Sequence, residues 1–108
     1  MELKNKMKNA REYYQLSQNA MSKVCGFGIN QWQKYENGKA KPEKSNKTLI
    51  KYALQPDGML HLLKMANESD IQGYETAYQK AQEAIQEIEM KTMRYKHKLL
   101  DNFFEYYN

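Results

Sequence analysis

Helix breakers are scarce in this sequence, and their positions constrain the fold more than any other feature. The 108 residues include five glycines and two prolines, which fall at positions 26, 28, 38, 42, 56, 58 and 73. Glycine and proline end or interrupt helices, and so few of them leave little material for long loops. We therefore expect an all-α protein, with helices in the segments between these positions.

The first three predicted helices lie before residue 37. Apolar residues at helical spacing mark the first within residues 2–16, which contain no glycine or proline. Ser17 offers an N-cap for a second helix that runs to about Cys25. The glycine-containing turn that follows leads into a third helix over residues 29–35.

Two more helices complete a small five-helix domain that ends at residue 65. Asn37-Gly38 stops the third helix, and Ser45 is positioned to cap a fourth helix that reaches Leu54. Pro56-Asp57-Gly58 closes that helix, and the apolar pattern of residues 59–65 predicts a fifth.

Residues 66–108 are predicted to form a separate helical tail. From Ile71 to Tyr107 the sequence has one glycine and no proline, and its apolar residues follow a heptad-like spacing. A single helix of this length would measure about 55 Å, more than the preceding domain can cover. Part of its apolar stripe must therefore contact another partner. The residues assigned to this dimer or partner surface are Ile71, Tyr74, Tyr78, Ile85, Ile88, Tyr95, Leu99, Phe103 and Tyr106.

Three arrangements of this tail remain open. Self-association as a homodimer is favoured by the periodicity, since a heptad stripe brings two helices together. Capture of a different protein is the alternative, because the aromatic cluster at the end of the tail makes a surface broader than a two-stranded seam needs. In the third arrangement the helix kinks near Thr92 and folds back on its own domain.

Charge divides the chain at the same boundary. Residues 1–65 carry 12 Lys and Arg against five Asp and Glu, a net charge of +7, whereas residues 66–108 carry five against eight, a net charge of −3. A basic surface suits phosphate contact through counterion release, and an acidic tail would be repelled by the same polyanion. We expect the two parts to meet different partners.

The third predicted helix has one apolar and one polar face. With about 100° between consecutive residues, Trp32 and Tyr35 point towards the core, and the polar side chains gather on the opposite side. These polar residues are Asn30, Gln33, Lys34 and Asn37. Asn and Gln form paired hydrogen bonds with adenine, and Lys donates to guanine or to phosphate. The face is equipped to read DNA bases, although an ordinary amphipathic surface helix would have the same pattern.

The run LSQNAMSKVCGFGINQWQKYENGKAKP contains a capped helix, a glycine turn and a polar helix that ends in Tyr-Glu-Asn-Gly. In this order it resembles the helix-turn-helix of Cro and repressor (XRE-type) proteins, over about residues 3–65. Through GFGINQWQKYENGKAKP it is also similar to the helix-turn-helix half of MqsA-type antitoxins. The resemblance implies a five-helix, lambda-repressor-like domain that binds double-stranded DNA, followed here by the long C-terminal helix.

The resemblance also implies roles for individual positions. Arg11 and Glu36 would form a structural ion pair, Ala20 would be the small residue where the second and third helices cross, and Gly26 would be the turn glycine. Contacts to bases in the major groove would come from Ile29, Asn30, Gln33 and Lys34. Contacts to phosphates would come from Gln18, Asn37, Lys39 and Lys41.

The sequence departs from the antitoxin pattern at one point. That family joins a cysteine-rich zinc ribbon to its helix-turn-helix, whereas this sequence begins at the first helix and has a single Cys. We therefore expect no metal and no other cofactor, and a toxin protein is an open rather than an assigned partner.

Catalysis is not expected either. Cys25 lies on an apolar face without a nearby His or basic cluster, so we interpret it as a core residue. His61 and His97 have no second ligand three or four residues away, which argues against a metal site. No apolar run approaches the roughly 18 residues that span a bilayer, and a lone Cys gives no sign of an oxidising compartment. A cytoplasmic protein without membrane contact is expected.

These features predict a sequence-specific, double-stranded DNA-binding transcriptional regulator that acts as a dimer and represses by occupying its operator. An antitoxin of a toxin-antitoxin pair would be one form of such a regulator. The alternative is a protein-interaction module whose tail binds a toxin or another subunit, with DNA binding secondary. A small enzyme is the third class, and no combination of nucleophile, base and orienting group supports it.

Overall fold

The computed structural model describes the backbone of residues 2–107 and the side chains of residues 2–91. Over this range the protein is built from α-helices and one 3₁₀ turn, without a β-strand, which confirms the all-α prediction. The elements in chain order are α1 Leu3–Tyr14, α2 Gln18–Cys25, α3 Gln31–Glu36, α4 Lys44–Ala53, α5 Pro56–Met65, the 3₁₀ turn Glu68–Asp70 and α6 Tyr74–Tyr107.

The ends of α2 follow from the local sequence. The Ser17 hydroxyl accepts a hydrogen bond from the Ala20 amide at 3.0 Å, so Ser17 is the N-cap that the sequence predicts. Gly26 ends the helix in the left-handed conformation, with φ at 71°, where a residue with a side chain would be strained. The amide of Phe27 then donates to the Ser22 carbonyl at 2.8 Å and closes the turn.

The predicted boundaries of α4 and α5 are wrong at two positions. Ser45 does not cap α4, because the helix begins at Lys44 after an extended Glu43. Pro56 does not close α4, which already ends at Ala53, but is the first residue of α5. Proline suits a first helical position because the amide that it lacks would have no partner there.

Gly58 shows how closely α4 and α5 approach. A Cβ built on this glycine would overlap the backbone carbonyl oxygen of Tyr52, near the end of α4. A carbonyl within a helix cannot move aside without disturbing its neighbours, so the close approach requires glycine. Gly58, which the sequence predicts to belong to a turn, is therefore a packing residue of α5.

A single hydrophobic core connects the helices. Its fully buried large side chains come from α1, α2, α3, α4 and α5, namely Met7, Met21, Trp32, Ile50, Met59 and Leu63. Cys25 belongs to the same cluster, which confirms its interpretation as a core residue. Among the described residues, no helix combines the length and the apolar character needed to cross a membrane.

The beginning of α6 packs on this core, across the boundary expected between residues 65 and 66. Ala77 and Ala81 have no exposed surface, and the preceding Ile71 is 5% exposed. The Tyr74 hydroxyl donates to the Leu63 carbonyl of α5 at 2.6 Å, and the Tyr13 hydroxyl of α1 donates to the Lys80 carbonyl at 3.3 Å. Packing is thus continuous from α5 into α6.

One residue assigned to a partner surface, Ile71, is corrected by this packing because it is buried. Tyr74 and Tyr78 are half-buried and pack in part against the core of their own domain. Periodicity shows that a helix face is apolar but not what covers it, and the small Ala77 and Ala81 let α6 lie close to α1 and α5. Beyond this contact α6 runs through Thr92 as one helix to Tyr107.

Candidate nucleic-acid interface

The relative position of α2 and α3 is fixed by a buried hydrogen bond. The Ser22 hydroxyl on α2 accepts from the backbone amide of Trp32, in the first turn of α3, at 2.9 Å. Ser22 is 2% exposed and Trp32 is fully buried. A buried amide without a partner is destabilising by about 1–3 kcal/mol, so this bond favours one arrangement of the two helices. The sequence gives no signal for this role, since Ser22 looks like any polar residue on a short helix.

A second set of contacts, centred on the Glu36 carboxylate, joins α1 to the end of α3. Arg11 donates from Nε to Oε2 at 3.0 Å and from Nη2 to Oε1 at 2.9 Å, so the pair implied by the resemblance is present. Trp32 donates from Nε1 to the same carboxylate at 2.8 Å. The third Arg11 nitrogen, Nη1, donates to the Leu16 carbonyl at 3.2 Å. The sequence analysis does not predict the Trp32 to Glu36 bond, although the spacing of four residues along a helix is a signal for it.

These contacts keep Glu36 charged inside the domain. Burial by itself would raise the pKa of the Glu36 carboxyl, because it disfavours the ionised form. Hydrogen bonds from Arg11, Trp32 and Gln18 outweigh burial, and the net pKa is lowered below its ordinary value. The same hydrogen bond raises the pKa of Arg11. The pair is therefore ionised at neutral pH and has a structural role.

The turn before α3 leaves the side chains of Ile29 and Asn30 exposed to solvent. α3 begins at Gln31, so Ile29 and Asn30 precede the helix rather than belonging to it as predicted. The reason is local: Asn30 has φ at 63°, in the left-handed region that Asn tolerates better than other residues with a side chain. Ile29 is 86% exposed and Asn30 is exposed as well.

The remaining residues of the predicted base-reading set lie on α3 itself. Lys34 is exposed and Gln33 is half-buried, while Trp32 and Tyr35 point into the core as predicted. The Lys34 carbonyl accepts from the amides of Lys39 and Ala40, at 2.8 and 3.2 Å, and so folds the following segment back against the helix end.

The predicted phosphate-contacting residues gather near the end of α3. Gln18, at the start of α2, donates from Nε2 to Oδ1 of Asn37 at 3.3 Å, which brings these two side chains together. Lys39 and Lys41 follow in the loop, and both are exposed.

The structure adds a cation that the sequence did not indicate. The Lys4 ammonium lies 3.8 Å from the position that a Cβ would take on Gly38, so the start of α1 adjoins the residues after α3. Its ion pair with Glu2, at 3.7 Å, joins two side chains that are at least half exposed, and such pairs are weak. The sequence does not predict this position of Lys4, because Lys4 and Gly38 are far apart in the chain and no local pattern relates them.

Metal-ligating side chains and the single thiol can be located in the described part of the chain. No group of three or more His, Cys, Asp and Glu side chains is placed to hold a metal ion there. Burial raises the pKa of the Cys25 thiol to about 12, so this sulfur is protonated at neutral pH. His61 contacts the Tyr52 hydroxyl through Nδ1 at 2.6 Å.

The predicted partner surface on α6 is divided. Ile85 is half-buried beside Leu60 of α5, and Ile88 is 53% exposed. The prediction for Tyr95, Leu99, Phe103 and Tyr106 lies outside the residues whose side chains are described.

No protein-family model, curated protein or solved structure matches this chain.

Proposed function

We propose that this protein is a sequence-specific, double-stranded DNA-binding transcriptional regulator of the Cro and repressor (XRE) type. α3 and the turn before it would be the reading element, within a five-helix, lambda-repressor-like helix-turn-helix domain formed by α1 to α5. The major groove of B-DNA is about 12 Å wide and admits one α-helix. α3 is a short helix that is anchored by its inner face and exposed on its outer face, as insertion into this groove requires.

One observation carries this proposal: α3 is held rigidly on one face and is polar on the other. Its inner face is anchored by the Ser22 to Trp32 bond and by the Arg11 to Glu36 pair. Base recognition needs side chains held in place by a stable framework, because each mobile group would have to be ordered on binding. The Ser22 to Trp32 hydrogen bond and the Arg11 to Glu36 ion pair supply that framework.

The charges around α3 supply the second requirement of DNA binding. Lys34 is exposed on α3, Lys39 and Lys41 are exposed in the loop that follows, the Lys4 ammonium lies near Gly38, and residues 1–65 carry a net charge of +7. Lysines that neutralise phosphates release counterions, and this release provides affinity for any DNA sequence. Amide groups such as that of Asn30 would add sequence preference.

Repression by operator occupancy and action as a homodimer belong to the same proposal. Ala81 is the last fully buried apolar residue of α6 among residues 2–91, and the helix continues to Tyr107. The length beyond the core supports association of α6 with a second copy, which would place two reading elements on paired half-sites.

The test begins with selection of the full chain against a randomised duplex pool at two salt concentrations. We expect enrichment of a paired motif, with binding that weakens as salt rises. Binding without an enriched motif would reduce the function to general DNA association. An absence of binding would reject a DNA-binding function.

Two substitutions then separate base reading from phosphate contact. Asn30→Gly removes the carboxamide and keeps the left-handed backbone favourable, so it should reduce discrimination at one base pair by about 1–3 kcal/mol. Lys41→Ala should lower the affinity for all DNA sequences alike and reduce the slope of log affinity against log salt by about 1. Affinities of both variants for matched and mismatched duplexes provide the measurement. Equal small effects of both changes on every sequence would contradict base reading.

A protein-interaction module is the second candidate, and the exposure of Ile88 and Met90 on α6 favours it. In this case α6 would bind a toxin or another subunit, and DNA contact would be secondary. Mixed dimers with a partner, rather than homodimers, would distinguish it in sedimentation experiments.

A further inference from the structure

Ile29 is the most exposed large apolar side chain among the described residues. Its exposure is 86%, compared with 72% for Met65 and about half for Ile88. A single exposed apolar residue is common and does not define a site by itself. Ile29, however, lies in the turn before α3, next to the polar surface proposed to face DNA.

The neighbouring Asn30 has an uncommitted carboxamide. An Asn at the start of a helix normally accepts a hydrogen bond from an amide of the first turn. In this protein Asn30 makes no such bond, and the Ser22 hydroxyl takes the Trp32 amide in its place. The part of the chain that the structure describes offers the Asn30 side chain no other hydrogen-bond partner. The fold thus leaves an apolar and an amide side chain, consecutive in sequence, facing solvent.

We propose that Ile29 and Asn30 together read A·T base pairs in the major groove. Ile29 contacts the C5 methyl of a thymine, and Asn30 forms paired hydrogen bonds with adenine N6 and N7. This inference rests on the proposed function and specifies the bases that this part of the surface recognises.

The chemistry and the spacing both support this assignment. The thymine methyl is the apolar group that the major-groove edge of a base pair offers, and adenine is the base that an amide side chain bonds in pairs. Consecutive Cα atoms lie about 3.8 Å apart, close to the rise of about 3.4 Å between base pairs. Two consecutive side chains therefore reach the same base pair or adjacent ones.

The experiment uses the full chain and the duplex that it enriches from a randomised pool. Each thymine of that duplex is replaced in turn by deoxyuridine, which removes the methyl group and keeps the base-pairing edge. At one position per half-site the wild-type chain should bind the uracil duplex about fourfold more weakly, as expected for one buried methyl group. Ile29→Ala should bind the thymine and uracil duplexes equally. The substitution is at an exposed position, so the variant keeps its fold.

Met65→Ala is the matched control, because Met65 is also exposed and apolar but lies at the end of α5. This variant should keep the full sensitivity to uracil. Equal binding of wild-type chain to thymine and uracil duplexes at every position would overturn the inference and leave DNA recognition intact. Undiminished uracil sensitivity in Ile29→Ala would also overturn it. Failure to enrich any sequence would reject sequence-specific binding, and with it this reading of A·T pairs.

Discussion

Glu36 is the residue on which the first and third helices depend. Its side chain is 4% exposed and accepts hydrogen bonds from Arg11 and Trp32. A buried carboxylate without its partners is strongly destabilising, so the surrounding donors decide whether the charge can be accommodated. Trp32 and Cys25 were predictable as core residues, because apolar side chains at helical spacing face inward. The donors around Glu36 come from distant parts of the chain, and only the resemblance indicated Arg11.

The lowered pKa of Glu36 leads to a prediction about acid stability. A carboxyl whose pKa is lower in the folded than in the unfolded state stabilises the fold above its ordinary value of 4.5. This contribution is lost as pH falls through the lower folded pKa. We expect Glu36→Gln to lower the free energy of unfolding at pH 7 by about 1.5–3 kcal/mol, the range for hydrogen bonds to charged groups. The difference from the wild-type chain should shrink as pH falls below 4.5.

Urea unfolding at several pH values measures this difference. Glu87→Gln is the control, since Glu87 forms an exposed ion pair with Lys91 at 3.5 Å and should contribute little at any pH. A Glu36→Gln variant as stable as the Glu87→Gln variant at pH 7 would show that the buried pair has no net stabilising effect.

At the scale of elements, the number of helices could be predicted but several of their ends could not. Ser17 was recognisable as an N-cap because a helical pattern begins directly after it. Ser45 has the same residue type, yet α4 starts before it. The apolar pattern predicts a third helix that includes Asn30, and the left-handed backbone of Asn30 excludes it from α3. Each difference depends on the conformation of one residue, which the periodicity of the neighbouring side chains does not determine.

The two serines provide a test at this scale. Ser17→Ala removes the acceptor for the Ala20 amide and should lower stability by about 1 kcal/mol. Ser45 lies inside the first turn of α4 and is exposed, so Ser45→Ala should change stability by less than about 0.5 kcal/mol. Thermal unfolding of both variants gives the comparison. Similar losses from the two substitutions would mean that Ser45 also acts as a cap.

At the scale of the whole molecule, the packing of α6 differs most from expectation. The sequence predicted a domain ending at residue 65 and a tail with a different partner, and the change in net charge supported that division. The structure instead places Ile71, Ala77 and Ala81 in the same core as Leu63. Composition and charge describe the surface of a segment, whereas the complementary shape of α5 and α6 becomes visible only when both are folded.

Two truncations distinguish these views of the domain. A chain ending at residue 65 loses the buried residues of α6 and uncovers Leu63, so it should show no cooperative thermal transition. A chain ending at residue 91 keeps every described core residue and should unfold within a few degrees of the full chain. Under the dimer proposal it should also sediment as a monomer. Cooperative unfolding of the shorter chain at the wild-type temperature would restore the boundary at residue 65.

The buried hydrogen bond between the Ser22 hydroxyl and the Trp32 amide has a consequence for the evolution of such a protein. It fixes α3 from the inside, so the outward side chains of Ile29 and Lys34 are not needed to hold the helix. Mutations at positions 29 and 34 leave this framework intact, whereas position 30 is limited to residues that tolerate its left-handed backbone, with φ at 63°. Under the proposed function, duplicated copies can diverge in DNA preference without first acquiring extra stability, because the proposed base-reading side chains are not the ones that hold α3 in place.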